Sequence, residues 1–275
     1  MIKVAVCGAC GRMGRLLVRM ISEQPDMELV AAIDAPNTPE AGMDVGKLAG
    51  VDNMGVKIVG AEQLDKVLHR EKPDVLVDFT NSEAAIQNVR TAAQNSVGVV
   101  VGTTGFTQKQ QAEIVGIVKK DKISAVVAPN MSVGVNVFFK LVGEAARSLG
   151  SDYDVEIVEA HHAHKVDAPS GTALRAAEII AKEFGRGSES IKFGRPAGKQ
   201  PRSKGDIHIH SVRAGDIVGE HVVTFAAPGE RVEIVHKAHS RETFAAGALK
   251  AIRHVAKKSK PGVVQDMQNV LGLRA

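Results

Sequence analysis

Short apolar runs rich in valine, isoleucine and alanine alternate with amphipathic stretches along the first half of the chain. Residues 2–7 form the first run, and its nearly unbroken apolar character predicts a strand buried on both faces. Leu16, Leu17, Met20 and Ile21 follow at the three- and four-residue spacing of one helix face. Further strands are predicted at 29–33, 75–79, 97–101 and 123–128, with helical patterns at 84–93 and 114–118 between them. Strands separated by helices imply a parallel sheet, because each return to the same direction needs a crossover.

The first crossover starts in a glycine loop. Gly8, Ala9, Cys10, Gly11, Arg12, Met13 and Gly14 stand between the first strand and the first helix. Glycines let the backbone turn tightly and approach a pyrophosphate, which the helix N-terminus attracts. Asp34, about 20 residues further on, ends the second strand, where an acidic side chain accepts hydrogen bonds from an adenosine ribose. The spacing departs from G-x-G-x-x-G, since Cys10 stands at the middle glycine position. Strand, loop, helix and acid together still predict a Rossmann-like dinucleotide-binding domain. A 2′-phosphate calls for a cation beside the second strand, yet Asp34 is followed by Ala35, Pro36 and Asn37. NADH is therefore the expected cofactor, and Arg12 leaves NADPH use open. D-F-T at 78–80, G-T-T-G at 102–105 and Pro129-Asn130 end the later strands, where an open α/β sheet places its ligand.

After Asn130 the pattern changes. Residues 135–149 read as a helix and 155–160 as a strand; 207–212, 217–225 and 231–237 read as successive strands of a mixed or antiparallel sheet. Residues 185–205, rich in Gly, Lys, Arg and Pro, predict a mobile basic loop, and 244–255 are again helical. The expected architecture is α/β. Residues 1–129 and 241–275 form a Rossmann-like parallel-sheet domain, and 130–240 an α+β domain with a mixed sheet for substrate binding and oligomerisation. Crossings at Asn130 and Arg241 suggest closure of the domains during turnover.

A length of 275 residues suits this organisation. The chain has no Trp, one Tyr and eight Phe, so its cores are aliphatic. The formal charge is +4, but few aromatics are available to stack bases, and 257–260 is the only dense basic run. A pocket for an anionic metabolite explains that balance, and no nucleic-acid partner is expected. No apolar stretch approaches the ~18 residues of a membrane span, and the chain opens directly into its first strand. A soluble, cytoplasmic protein without membrane attachment is expected. Cys7 and Cys10 form a C-x-x-C, read as a strand end and a small loop residue rather than a redox pair.

The chemistry concentrates at 159–173, E-A-H-H-A-H-K-V-D-A-P-S-G-T-A. His161, His162, His164 and Lys165 precede a turn at Pro169, and Ser170, Gly171 and Thr172 open a helical pattern. A histidine titrates near neutrality and can donate a proton. Lys165 supplies fixed charge, and hydroxyls with backbone N–H groups at a helix start form a carboxylate cradle. Asp167 reads as structural, as do His164, His208 and His210 taken singly. H-H-x-H also invites a metal, but Lys165 would repel the cation and no ligand set completes the site, so no metal is expected.

The chain resembles the dihydrodipicolinate reductase (4-hydroxy-tetrahydrodipicolinate reductase) family. The resemblance rests on V-A-V-x-G-A-x-G-R-M-G, D-F-T, G-T-T-G-F, S-V-G-V-N at 132–136, the His-rich signature and R-A-G-D-I-V-G-E-H at 213–221. These motifs run in order from end to end. The resemblance implies hydride reduction of a cyclic imine dicarboxylate in the diaminopimelate route to lysine. It makes His161 the proton donor with Lys165 as catalytic partner, and gives His162, Lys165, Ser170, Gly171 and Thr172 to the substrate carboxylates. It assigns Gly8, Ala9, Cys10, Gly11, Arg12, Met13 and Asp34 to the cofactor. Gly102, Thr103, Thr104, Ala128, Pro129, Asn130 and Met131 would line its nicotinamide side. Many members carry Glu-Arg where this chain has Asp34-Ala35, which favours NADH. A homotetramer joined through the substrate domain is the expectation. Another Rossmann-type oxidoreductase acting on a small dicarboxylate, such as an amino-acid dehydrogenase, is the runner-up. A nucleotide-sensing regulator would lack the proton donors found here.

Overall fold

The computed structural model describes residues 1–257 and 260–274. Lys258 and Ser259 of the basic run, and Ala275, lie outside the described residues. In chain order the elements are β1 (Ile2–Cys7), α1 (Arg12–Ser22), β2 (Met27–Asp34), α2 (Val45–Ala49), β3 (Ile58–Gly60), α3 (Leu64–Glu71), β4 (Val75–Asp78), α4 (Ser82–Gln94), β5 (Gly98–Val101), α5 (Gln108–Asp121) and β6 (Ala125–Val127). Then come α6 (Val133–Leu149), β7 (Asp154–His161), α7 (Gly171–Glu183), β8 (Ile191–Phe193), β9 (Ile207–Arg213), β10 (Gly219–Ala227) and β11 (Glu230–Ala238). The chain ends with α8 (Glu242–Ala256), β12 (Val264–Gln265) and α9 (Met267–Val270). Two compact units result, Met1–Val133 with Phe244–Ala275, and Gly134–Thr243.

The first unit is a parallel sheet of order β12-β6-β5-β4-β1-β2-β3. The order reverses between β1 and β4, the position where doubly wound sheets bind dinucleotides. Successive side chains of β1 go to opposite faces. Val4 and Val6 join a core with Leu17, Val18 and Ile21 of α1 and Ala248, Ile252 and Val255 of α8. Ala5 and Cys7 join a second core with Val67 of α3, Ile86 and Val89 of α4, and Ile114 and Val118 of α5. Both faces are thus buried, which is why the strands read as continuous apolar runs. Arg253 of α8 forks onto Asp26, with bonds of 2.7 and 2.8 Å, and returns the last helix to this unit.

The second unit is a mixed sheet of order β11-β10-β7-β9-β8. β10 runs antiparallel to both β7 and β11, whereas β9 is parallel to β7 and β8. One face packs on α6 and α7 through Phe138, Val142, Ala177 and Ile180 against Val155, Ile157, Ile209 and Phe225. On the other face Val158, Val212 and Val235 are exposed. The segment expected to be a loop at 185–205 contains β8, which pairs with β9. Arg202 from the same segment is pinned to Glu156 and to the carbonyls of Val155 and Asp206. β10 begins two residues later than expected, because Ile217 and Val218, after the turn at Gly215 and Asp216, lie before the first paired residue, Gly219.

Two helical glycines separate packing from propensity. A Cβ on Gly247 would sit 1.7 Å from the Met131 carbonyl oxygen, a backbone atom that cannot swing away. Gly116 on α5 has open space around its missing Cβ. Urea unfolding should show Gly247→Ala destabilised by about 3 kcal/mol and Gly116→Ala stabilised by about 0.5–1 kcal/mol. Equal shifts in both variants would refute this packing account.

Candidate active site

On the first unit the glycine loop shapes a helix start with an open end. Gly8 has φ of +80°, and a Cβ there would lie 2.6 Å from the Phe79 carbonyl oxygen. Gly14 is more constrained, since its Cβ would fall 2.0 Å from Gly8 O and 2.7 Å from Ala9 Cα. Gly11 is the N-cap of α1 and contributes no side-chain acceptor, so the first-turn N–H groups face outward for an anion. Arg12 and Met13 form that first turn, and Ala9 is buried beneath it. This cradle fits a dinucleotide pyrophosphate.

Asp34 sits where the second strand ends, but its carboxylate is already engaged. Oδ2 accepts from Cys10 N–H at 2.7 Å and Oδ1 from Ala35 N–H at 2.8 Å. The acid therefore holds the loop in shape, with the Cys10 thiol also bonded to it, and lone-pair capacity remains for a further donor. Glu40 adds a second acid nearby, bonded by Thr38 Oγ1 at 2.5 Å. Burial, then Asp34, pushes the Cys10 thiol up to about 11. Burial also raises Cys7 well above its ordinary value, with Asp78 and Asp34 adding to the effect. Both shifts disfavour the thiolate on which redox or nucleophilic chemistry depends.

The residues expected on the nicotinamide side divide by burial. Thr103 is buried and turned inward, its hydroxyl 2.6 Å from Asp78 Oδ1. Asp78, fully buried, also accepts from the Thr80 hydroxyl at 2.8 Å and Asn88 at 2.7 Å, so it ties the ends of β4 and β5 to α4. Gly102 donates its N–H to Asp78 O at 2.9 Å, and Thr104 is exposed. Ala128 and Met131 are buried, Met131 within the core. Pro129 is exposed, and Asn130 Oδ1 accepts from Ser132 N–H at 2.9 Å.

On the second unit the site grows out of the core. Alternation along β7 puts Val155, Ile157, Glu159 and His161 on one face, so the apolar stripe becomes polar at its end. Cross-strand register sets Glu159 beside Ser211 and His221, and His221 beside His236. His161 stands beside Arg213.

Glu159 is wholly buried. Its Oε2 lies 2.6 Å from His161 Nδ1 and 2.9 Å from an Arg213 nitrogen; its Oε1 accepts from Arg213 at 2.8 Å and Ser170 N–H at 3.2 Å. Burial opposes ionisation, but hydrogen bonds from Arg213, Ser211, His161 and Ser170 outweigh it and hold this carboxyl at about 2. An ionised carboxylate only accepts, so Nδ1 of His161 carries a proton. Nε2 is then the reactive nitrogen, and it adjoins Gly219, where a Cβ would approach to 3.0 Å. Burial is the largest influence on His161 and lowers its pKa; Glu159 opposes this, and Lys165 and Arg213 add to the lowering.

His221 lies edge-on to His161, ring centroids 5.2 Å apart. Burial, then the neighbouring His161 and His236, pushes its pKa down to about 3, so it is neutral throughout the working range. Its Nε2 lies 3.0 Å from Ser170 Oγ, which caps α7 by accepting from Ala173 N–H at 3.2 Å. Gly171 and Thr172 form the first turn of that helix. Lys165 reaches Asp167 at 2.8 Å, and Lys165 first among its neighbours lowers the Asp167 pKa. His162 is half-buried with Nδ1 unpartnered, whereas His164 is exposed. His208 bonds the Gly194 carbonyl at 3.1 Å and His210 bonds Glu156 at 2.7 Å, away from this cluster. Among the described residues no group of three or more His, Cys, Asp or Glu is arranged to hold a metal ion.

The structure brings His161, Ser170 and the start of α7 together, and places Glu159, Arg213 and His221 with them. The inward alternation of β7 was the available signal for Glu159, since a carboxylate at a core position must find a partner.

Residues 2–131 match the family model described as dihydrodipicolinate reductase, N-terminus, and residues 134–271 match dihydrodipicolinate reductase, C-terminus. A protein of Methanothermobacter thermautotrophicus named 4-hydroxy-tetrahydrodipicolinate reductase is 50% identical over 274 residues, 99% of this chain and 100% of that one. A Methanocaldococcus jannaschii protein of the same name is 51% identical over 99% of this chain and 98% of its own. The solved dipicolinate-bound dihydrodipicolinate reductase of Paenisporosarcina sp. TG-14 superposes with a TM-score of 0.77 at 30% identity, covering 98% of this chain and 99% of that one. With both halves matched over nearly their whole length, the chain belongs to the dihydrodipicolinate reductase family.

Proposed function

We propose that the protein reduces dihydrodipicolinate, formed from 4-hydroxy-tetrahydrodipicolinate, to tetrahydrodipicolinate with NAD(P)H, a cytoplasmic step of diaminopimelate and lysine biosynthesis. The observation that carries this reading is the His161–Glu159 pair beside a capped helix start, in a chain whose other unit has the open glycine-loop helix. The bound nicotinamide supplies the hydride to the conjugated imine. His162, Lys165 and Ser170, with the N–H groups of Gly171 and Thr172, bind the two carboxylates and offset the negative charge that grows as hydride arrives. Asp167 is 59% exposed and its pair with Lys165 is weak, so a substrate carboxylate can take its place. His161 then delivers the Nε2 proton to the enamine carbon and returns to neutral imidazole. The cofactor contacts assigned to Gly8 through Met13, Asp34, Gly102 through Thr104 and Ala128 through Met131 belong to the same reading.

NADH is the preferred cofactor in this account. A 2′-phosphate would meet Asp34 and Glu40 together, while Arg15 Nε is occupied by the Cys10 carbonyl at 2.7 Å. The protein works as a homotetramer. In its favour, Val158, Val222 and Val235 occupy one rung of the sheet face that α6 and α7 leave uncovered, with Val212 on the next rung.

Incubation with NADH and the product of dihydrodipicolinate synthase should oxidise the nucleotide; no turnover with NADH or NADPH would defeat the assignment. His161→Gln should lower kcat by about 100-fold or more with NADH affinity unchanged, and Lys165→Ala should impair both kcat and KM. Normal turnover in His161→Gln would move the acid role elsewhere.

The pH dependence has a definite sign. His161 donates only when protonated, and its pKa in the free protein lies below the ordinary imidazole value of about 6.5. The alkaline fall of kcat/KM should therefore centre below that value. The fall of kcat should lie at higher pH, because bound carboxylates favour the imidazolium. A kcat/KM profile flat from pH 5 to 8 would contradict this.

Fluorescence titration should give a Kd for NADH at least about tenfold below that for NADPH, a difference near 1.4 kcal/mol. Tighter NADPH binding would reverse the cofactor assignment.

A further inference from the structure

General acids need two opposed properties. The donor must carry a proton once the substrate is bound, and must then release it. A histidine bonded to a lone buried carboxylate would keep the proton as half of an ion pair. In this chain the carboxylate is shared. Arg213 forks across both Glu159 oxygens at 2.8 and 2.9 Å, on the same carboxylate that lies 2.6 Å from His161 Nδ1. The same guanidinium donates to the Asp167 carbonyl at 2.5 Å, which ties down the turn carrying Lys165. Both side chains come from adjacent strands at one end of the sheet, β7 and β9.

We propose that Glu159 and Arg213 are paired positioning residues for proton transfer. The carboxylate anchors His161 through Nδ1 and turns Nε2 toward the substrate, while the guanidinium draws off enough of its charge for the imidazolium to release a proton. The proposal rests on the reductase reading above. One proton passes from Nε2 to the enamine carbon, whose electron pair forms the new C–H bond, and His161 ends neutral. Groups facing His161 from every neighbouring element enter the balance. Lys165 and Asp167 lie on the following turn, Ser170 caps α7, Arg213 comes from β9, and His221 from β10 with His236 of β11 behind it. Glu159 is the acidic partner bonded to the ring, and Arg213 is the cation bonded to that acid. Gly219 completes the device, because a side chain there would crowd Nε2.

The test is a histidine-ring NMR titration of the unliganded full-length protein, with the His161 signal identified by its loss in His161→Gln. It is paired with kcat–pH profiles. Glu159→Gln should lower the His161 pKa and reduce kcat by about tenfold or more, with NADH affinity unchanged. Arg213→Met should raise the His161 pKa and shift the alkaline limb of kcat to higher pH. Should Arg213→Met fail to fold, because it strands a buried charge, the double variant Glu159→Gln/Arg213→Met removes charge and partner together. Its His161 pKa should lie above that of Glu159→Gln, with kcat equally low. Gly219→Ala should lower kcat while leaving the NADH Kd unchanged. An unmoved titration and a kcat within twofold of wild type in Glu159→Gln would overturn the proposal. Those results in an active wild-type enzyme defeat the positioning role alone. Inactive wild type with the NMR shifts present defeats the reductase reading and leaves the pairing upheld.

Discussion

A carboxylate sealed from water organises the second unit. Glu159 occupies a core position on β7, where an uncompensated charge would destabilise the fold by about 3–5 kcal/mol. Its four partners come from three places: the Arg213 fork and the Ser211 hydroxyl on β9, the His161 ring on β7, and the N–H of the helix cap Ser170. Satisfying that one group therefore fixes the ends of two strands and the start of α7 relative to each other. The intervening turn, with Lys165 and His162, is tied to this cluster where Arg213 donates to the Asp167 carbonyl. Replacing such a buried pair with apolar side chains often stabilises a protein, so its presence is better explained by the chemistry it positions.

The first unit meets the same problem, an anion beside a helix, with backbone instead of charge. Its helix start is open because Gly11 brings no side chain, and close approach is secured by Gly8 and Gly14, whose absent Cβ atoms would strike neighbouring carbonyls. Asp34, at the end of β2, shapes the loop through Cys10 N–H. α7 differs in having Ser170 as its cap, a hydroxyl already linked to neutral His221. One helix start is left without a side-chain cap, and the other is capped by a serine hydroxyl.

The pattern of the chain revealed some of this and concealed the rest, for identifiable reasons. Parallel strands buried on both faces are apolar runs, so β1, β2, β4 and β5 were legible, and the glycine loop marked the first helix. β3, β8 and β12 are two or three residues long and carry no periodicity. β8 was further hidden by the Gly-, Lys- and Pro-rich sequence around it. His161, Ser170 and Gly171 were legible because they lie close together in one signature. Glu159 headed the same signature, yet its role depends on Arg213, 54 residues away, and only strand register brings them side by side. The exposed partner of Lys165, Asp167, was readable as structural, whereas the inward turn of Thr103 toward Asp78 depended on burial that spacing does not encode.

The central claim is that a neutral His161 becomes the proton-bearing acid when dicarboxylate fills the cradle. Calorimetry of dipicolinate binding in buffers of differing ionisation enthalpy, near neutral pH, measures this directly. The account predicts net proton uptake on binding in the wild-type protein, and its loss in His161→Gln. Binding without uptake, or uptake that persists in His161→Gln, would contradict it.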